Sequence, residues 1–386
     1  MKKKICIVLG SRANYSSIKS AMCAIEAHPD LELQVLAGAS AILDRYGRVV
    51  DLVRADGFKI NEEVYMIIEG ETPTTMAQST GVGLMALPTA FERLSPDVVL
   101  TVGDRYETMA TTLAAAYMNI PIAHTMGGEV SGTIDESIRH AVTKFAHIHF
   151  PASKDAADRI LKLGERPDMI FNVGCPRMDL VKEIIESNPP LDARELFTEG
   201  VGSEQFDLDA PFLLVSQHPV TTEFGKGEQQ ITATLQACQN SKLPTVVLWP
   251  NSDAGSDDIA RGMRKWRERG NDENMHFFKN LPIHIYVRLM RMTACLLGNS
   301  SSGIREGAFI GTPVVNIGSR QDMRERGDNV LDVGNDTVEI EGAVSKQLEH
   351  GFYGHQPIYG DGTAGEKIAD VLSKLGEVEV QKRITY

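Results

Sequence analysis

Cysteine is scarce in this chain. Its five copies, Cys6, Cys23, Cys175, Cys238 and Cys295, are scattered, odd in number and form no Cys-x-x-Cys pair. That argues against a disulfide framework and for free thiols in a reducing cytoplasm. Positive charge is in deficit too, with 39 Lys and Arg against 52 Asp and Glu and a net charge of −13. A nucleic-acid partner is not expected, because phosphate-backbone affinity needs clustered cations. An anionic small substrate, which needs only a few local donors, stays compatible. Long apolar runs are missing, so no membrane partner is expected. The Ile5–Leu9 run behind Met1-Lys2-Lys3-Lys4 stops at Gly10-Ser11-Arg12. It is too short for a signal peptide and fits a first buried strand. The chain has neither a Gly-x-Gly-x-x-Gly fingerprint nor a Gly-Lys-Ser/Thr P-loop, which disfavours nicotinamide and P-loop ATP chemistry. His147 and His149 alternate along one strand without a carboxylate pair at ligand spacing, so packing or hydrogen bonding at a strand edge is expected, with no metal and no cofactor.

What is present is an alternation. At 386 residues, 42% hydrophobic and 24% charged, the chain suits a soluble protein of two domains. Short β-branched runs predict strands at Lys4–Leu9, Leu31–Ala37, Val98–Val102, Pro121–His124, Ile148–Pro151 and Ile170–Val173. Helical patterns lie between them at Ser16–Ala27, Ala41–Asp56, Thr74–Leu94, Thr108–Met118, Glu136–Ala146 and Lys154–Leu163, and Gly57–Gly70 reads as a strand plus a loop. Gly174-Cys175-Pro176 closes this series, and the poorly patterned stretch to Asp209, with Asn188-Pro189-Pro190 and Glu199–Ser203, reads as the interdomain connection. A second series follows at Pro211–Ser216, Thr245–Trp249, Met275–Phe278, Cys295–Leu297, Pro313–Ile317 and Val330–Val333, then a last helix at Thr363–Leu375. Such βαβ alternation predicts an α/β fold of two similar domains with parallel sheets and a ligand cleft between them. The first domain is expected over 1–176 and the second over 177–362.

Ionisable residues concentrate where strands end and helices begin, the edge at which doubly wound sheets bind ligands. Between Pro96 and Phe150 fall Gly103-Asp104-Arg105, Gly127-Gly128-Glu129, Ser131-Gly132-Thr133, and a helix with Asp135, Glu136, Arg139 and His140. So many carboxylates, arginines and histidines exceed what solubility asks, and this is read as the reaction centre. Gly10-Ser11-Arg12, before a helix with Ser16, Ser17 and Lys19, offers an anion site. Ser216-Gln217-His218 ends a strand with a histidine suited to a phosphate or a proton, set against an ordinary loop histidine. After Trp249-Pro250, Asp253 and Ser256 face a capping alternative, which is preferred for Ser256. Gly298-Asn299-Ser300-Ser301-Ser302-Gly303 and Arg305-Glu306 read as a diphosphate and ribose site, against a plain capped turn with a dipole-complementing acid. Gly318-Ser319-Arg320-Gln321 ends another strand beside it. Leu289-Met290-Arg291-Met292 reads as core.

Taken together, Gly-Ser-Arg at 10–12, Gly-Asp-Arg at 103–105, Gly-Gly-Glu-Val-Ser-Gly at 127–132, Asp-Glu-Ser-Ile-Arg-His at 135–140, Gln-His-Pro-Val-Thr-Thr at 217–222 and Gly-Asn-Ser-Ser at 298–301 with Arg305-Glu306 resemble the hydrolysing UDP-N-acetylglucosamine 2-epimerases of nonulosonic (sialic and legionaminic) acid synthesis, over nearly the whole chain. The resemblance implies a GT-B-like fold of two Rossmann-like domains, with the C-terminal helical segment 363–386 packing back on the first. It implies loss of UDP with the C2 proton to give a 2-acetamidoglucal, then addition of water to yield N-acetylmannosamine. It makes Asp104 and Glu136 acid/base residues, His218 and Arg12 stabilisers of the departing diphosphate, and Ser300, Ser301 and Glu306 holders of UDP, assisted by Arg105 and Arg320. Many relatives carry an acid where this chain has Met126, so Glu129 is expected to take over as a catalytic carboxylate. A UDP- or GDP-linked 2,4-diacetamido-6-deoxy sugar is the alternative substrate, and a GT-B glycosyltransferase or a sugar-binding protein the alternative class. A UDP-sugar partner and a homo-oligomer, dimer or tetramer, are expected. Ala13-Asn14-Tyr15 does not fit the non-hydrolysing relatives, which begin Gly-Thr-Arg-Pro-Glu.

Overall fold

The computed structural model describes residues 2–70, 72–132, 134–188, 191, 196–197, 200–202, 207–250, 255–279 and 281–385. Two compact units divide the chain. Met1–Val130, Ile134–Leu180 and Tyr359–Tyr386 form the first, and residues 131–133 with Val181–Ile358 form the second.

In the first unit, β1 (Lys3–Leu9), β2 (Leu31–Gly38), β3 (Glu62–Val64), β4 (Val98–Val102), β5 (Ile122–Thr125) and β6 (Ile148–Phe150) make one sheet in the order β3-β2-β1-β4-β5-β6. Every pairing is parallel. Helices cover both faces, so strands such as Ile5–Leu9 are buried along their whole length and read as unbroken apolar runs. The order reverses between β1 and β4, and the crevice at their carboxyl ends is the place such sheets reserve for a ligand. Gly10 and Gly103 stand there.

The second unit repeats the plan. β7 (Val201–Gly202), β8 (Leu213–Ser216), β9 (Thr245–Leu248), β10 (Met275–Phe278), β11 (Cys295–Gly298), β12 (Val314–Ile317) and β13 (Val330–Val333) lie in the order β13-β12-β11-β8-β9-β10-β7. The reversal falls between β8 and β11, whose ends carry His218 and Ser300. The strands β8 to β13 pair in parallel as expected, and the stretch read as the interdomain connection adds the short edge strand β7, antiparallel to β10.

Other expectations also shift. Ile170–Val173 is no strand: only Ile170 pairs, in an isolated bridge to His149, between the 3-10 turn Pro167–Met169 and Gly174, whose φ of 90° turns the chain. The helix expected over Ser16–Ala27 is two helices, Arg12–Ser16 and Lys19–Ala27, broken where Ile18 leaves helical φ. Ala41–Asp56 holds two 3-10 turns before the helix Val49–Ala55, since Gly47 and Arg48 adopt positive φ. The supposed connection after Pro176 begins as a helix, Pro176–Ser187, with proline at the first helical position where its missing N–H costs nothing. Ser256 does not cap its helix. It is the first helical residue, entered through left-handed Gly255. The readings placed on Thr133, Pro189, Pro190, Glu199, Ser203 and Asp253 lie outside the described residues.

The C-terminal helix spans Ala364–Lys374 and stops there, so 375–385 is irregular rather than helical. It packs on Lys19–Ala27 so closely that a Cβ on Gly365 would lie 2.6 Å from the Ser20 carbonyl carbon. Asp179 caps its start, accepting from the amides of Ala364 at 2.9 Å and Gly365 at 2.7 Å.

Candidate active site

At the end of β1, Ser11 caps the short helix Arg12–Ser16 by accepting from the Asn14 amide. The Asn14 carboxamide accepts from the Gly10 amide at 3.2 Å and donates to the Val102 carbonyl at 3.3 Å. One side chain thus ties the β1 turn to the end of β4. Arg12 is exposed. Ser16 donates to the Ala13 carbonyl at 3.2 Å, a bond within its own helix, so the structure gives that hydroxyl a local role.

The β4 turn is held from two sides. His124, on β5, bonds the Gly103 carbonyl through Nε2 at 2.8 Å. Burial depresses its pKa to about 4, against the raising effect of that bond, so near neutral pH it is an uncharged imidazole. Asp104 is paired with Arg139, whose Nη2 donates to Oδ2. Arg139 is only 2% exposed, and its Nη1 donates to the Glu129 carbonyl at 2.7 Å. A buried guanidinium therefore joins the β4 turn to the Gly127–Glu129 turn. Arg159 adds a second tie, donating to the Gly128 carbonyl at 2.6 Å. The paired glycines are required here. A Cβ on Gly127 would lie 2.8 Å from His124 Nδ1, and one on Gly128, at φ 77°, would lie 2.3 Å from the Ala156 carbonyl oxygen.

The helix Asp135–Phe145 supplies Arg139 and, on the same face, the Glu136–His140 pair, 3.6 Å apart. Burial, then the Arg139 charge, lowers the His140 pKa. Glu129 is buried. Met126 adopts φ 59°, which a long unbranched side chain rarely takes. It is buried, with Sδ 3.6 Å from Cys175 Sγ and Cε 3.8 Å from the position of a Cβ on Gly103.

At the switch point of the second sheet, Asn299 accepts from the His218 amide at 2.7 Å and donates to the His218 carbonyl at 2.8 Å. The Asn299 carbonyl accepts from Arg320 Nη1 at 3.2 Å and Gln321 Nε2 at 2.8 Å. These bonds gather the ends of β8, β11 and β12. Ser300 caps Ser301–Ile304 by accepting from the Ser302 amide, and Ser302 bonds Tyr286 at 2.6 Å, so the capped-turn reading holds for that hydroxyl. Ser301 is half-buried, and Glu306 opens the helix Glu306–Ile310 as a buried acid.

Asp104, Arg105 and Glu129 therefore share one sheet edge in the first unit, and His218, Ser300, Ser301 and Arg320 share one in the second. Of the residues that do the tying, Asn14 and His124 were not singled out by sequence reasoning, whereas Arg139 and Asn299 fall inside the stretches read as reaction centre and diphosphate site without a role of their own. Arg139 carried a signal, since it stands one helical turn after Glu136. His147 and His149 are hydrogen-bonding residues: His147 accepts from the Ile122 amide at 3.1 Å, and His149 Nε2 lies 3.0 Å from Glu165. Among the described residues no His, Cys, Asp or Glu group is set to hold a metal ion, and no helix is long and apolar enough to cross a membrane.

The UDP-N-acetylglucosamine 2-epimerase family model matches residues 23–373. A Legionella pneumophila protein named UDP-N,N'-diacetylbacillosamine 2-epimerase (hydrolyzing) is 32% identical over 97% of both chains. A Neisseria meningitidis UDP-N-acetylglucosamine 2-epimerase is 28% identical, covering 99% of this chain and 98% of its own. The crystal structure of the Methanocaldococcus jannaschii UDP-GlcNAc 2-epimerase in complex with UDP-GlcNAc and UDP superposes with a TM-score of 0.81, covering 96% of this chain and 99% of that one at 16% identity. That likeness fixes the fold as GT-B-like α/β.

Proposed function

Because the chain belongs to the UDP-N-acetylglucosamine 2-epimerase family, we propose that it is a hydrolysing 2-epimerase, converting UDP-N-acetylglucosamine and water into N-acetylmannosamine and UDP. The observation that carries this reading is the buried Arg139 joining Asp104 to the Glu129 turn. A buried guanidinium holds the Asp104 carboxylate in one orientation, as the group that accepts the C2 proton requires. As that proton leaves, the C1–O bond to the diphosphate breaks and a C1=C2 bond forms. Water then adds oxygen at C1, and a proton returns to C2 on the opposite face. Glu136, with Glu129, is assigned to that second proton transfer. Arg12, Arg105 and His218 are assigned to the charge gathering on the diphosphate. Ser300, Ser301, Glu306 and Arg320 are assigned to UDP, and Ser16 to the phosphate side. In this division the first domain, expected over 1–176 with the returning C-terminal segment, handles the sugar, and the second, expected over 177–362, handles the nucleotide. The enzyme works in the cytoplasm as a homo-oligomer and needs no metal.

A second reading keeps the reaction and changes the sugar to a UDP-linked 2,4-diacetamido-2,4,6-trideoxy hexose. Met126 favours it, as an apolar side chain packed under the Gly103–Asp104 turn, together with the Legionella relative's name. Incubation of the chain with each sugar nucleotide in heavy water, followed by NMR, tests both. The expected product is the free C2-inverted sugar with one deuteron at C2, plus UDP. Release of sugar keeping its C2 proton would mean simple hydrolysis, and turnover only with an added acceptor would mean a glycosyltransferase.

A further inference from the structure

Glu107 is a buried carboxylate for which the reaction above has no use. It lies in the first turn of the helix Tyr106–Tyr117 and is 3% exposed. Its Oε1 accepts from Arg105 Nε at 2.9 Å. The same oxygen lies 3.0 Å, and its Cγ 2.3 Å, from where a Cβ on Gly10 would stand. Glu107 is thus laid against the backbone of the β1 turn, and no side chain at position 10 would fit beside it. Its Oε2 is buried without a hydrogen-bond partner among the described residues.

An acid placed only to complement the helix dipole gains as much from the exposed side of the first turn and keeps its hydration. Burying it with one oxygen unmatched costs stability, and what it gains there is Arg105. The arginine side chain is 32% exposed, held at Nε by Glu107 and flanked by the Tyr106 ring, whose centroid is 5.9 Å from Cζ. A guanidinium fixed at its root in this way is set beside the Gly10–Arg12 turn before any substrate arrives. We infer that Glu107 is a positioning residue, orienting Arg105 toward the charge that develops on the leaving diphosphate. The inference rests on the epimerase reading of this edge, and on a stabilising charge being worth most when already in place.

The test is a double-mutant cycle on the full chain, read by steady-state kinetics, UDP affinity and melting temperature. Arg105→Ala and Glu107→Ala should each lower kcat/KM about 10- to 100-fold, with kcat falling more than KM rises. Glu107→Gln keeps an acceptor for Nε and should stay within roughly 5-fold of the parent enzyme. Arg105→Ala combined with Glu107→Ala should match Arg105→Ala alone within about 3-fold, because two residues acting as one unit are not additive. If Glu107→Ala does not fold, Glu107→Met, of similar length and without an oxygen acceptor, takes its place in the cycle. Losses that multiply would overturn the proposal. So would a Glu107→Gln deficit as large as that of Glu107→Ala and tracking a lower melting temperature. If the parent enzyme is active and Arg105→Ala changes neither turnover nor UDP affinity, the positioning role falls while the epimerase reading stands. If the parent enzyme turns over no nucleotide sugar, the epimerase reading falls and the same cycle in UDP affinity decides: coupling supports the positioning role, additivity overturns it.

Discussion

At the carboxyl edge of the first sheet the turns are tied largely through charge: Arg139 to Asp104 and to the Glu129 carbonyl, Arg159 to the Gly128 carbonyl, Glu107 to Arg105. At the corresponding edge of the second sheet the ties are mostly amides and hydroxyls: Asn299 to His218, Gln321 to Asn299, Ser300 and Tyr286 to Ser302. The sheets share a topology, so the fold does not dictate the difference. Proton transfer needs carboxylates held in a set orientation and charge state, for which buried ion pairs are suited, since losing one partner strands the other. Holding a nucleotide diphosphate needs donors whose own bonds are settled, and neutral groups settle them without competing for the anion.

The sharpest way to break this contrast is at Arg139. Arg139→Met should lower kcat roughly 10²- to 10⁴-fold, as for a disabled acid or base, and cost about 3 kcal/mol of stability by stranding Asp104. UDP affinity should hold. Calorimetric titration with UDP beside the kinetics checks this, and a Kd that collapses along with kcat would dissolve the distinction between the edges.

Acid should also separate the units. Burial holds the His124 pKa at about 4 in the folded protein, against about 6.5 unfolded. Below pH 6.5 the unfolded chain binds the proton first, so this contribution is complete above that pH. It is lost as pH falls toward 4, by up to about 3 kcal/mol. Glu165 follows at lower pH. Burial pushes it up, but bonds from His149, Lys144 and Lys382 bring it down to about 2, so its contribution fades from the ordinary carboxylate range toward that value. Hydrogen exchange across this window should show first-unit amides losing protection before those of the second. Simultaneous loss would argue against the difference.

Much of this was legible beforehand, because buried parallel strands announce themselves as apolar runs and the motif residues follow those runs directly. Val98–Val102 and Val330–Val333 matched to the residue. What stayed hidden depended on distance in sequence. Nothing local links Arg139 to Asp104, or Asn299 to His218, since the sheet brings those pairs together. Pro176 read as a stop because proline breaks helices from within, yet it begins one. The apolar Ile170–Val173 run satisfies a strand pattern but lies against β6 at a single residue.

On the second edge the effects are smaller and fall on binding. Asn299→Leu leaves the buried His218 amide and carbonyl without these bonds, and UDP affinity should weaken by about 1–3 kcal/mol. Glu306→Ala should do likewise if the acid contacts the nucleotide, with little change in melting temperature. Unchanged affinity with lowered stability would make Glu306 structural.

The smallest effect tests the one neutral residue embedded in the charged edge. Met126 is buried with its methyl against Gly103 and its sulfur against Cys175, and its positive φ is a local strain of the kind that persists where surrounding structure imposes it. A thioether cannot move a proton, so its contribution is shape and dryness beside Asp104. If it lines the place of an apolar sugar substituent, Met126→Ala should reduce the preference for a 6-deoxy over a 6-hydroxy sugar nucleotide by roughly 10-fold in kcat/KM, the scale of a few methylenes in an apolar pocket. In that case Glu129→Gln should be mild, because Glu129 serves mainly through the carbonyl that Arg139 holds. If instead Glu129 is the working acid, Glu129→Gln should lower kcat about 10²-fold or more while Met126→Ala leaves the substrate ratio unchanged. The sequence favoured the working acid. The burial of Glu129 and the packing of Met126 move the expectation toward the first outcome, and a ratio unmoved by Met126→Ala would return it to the second.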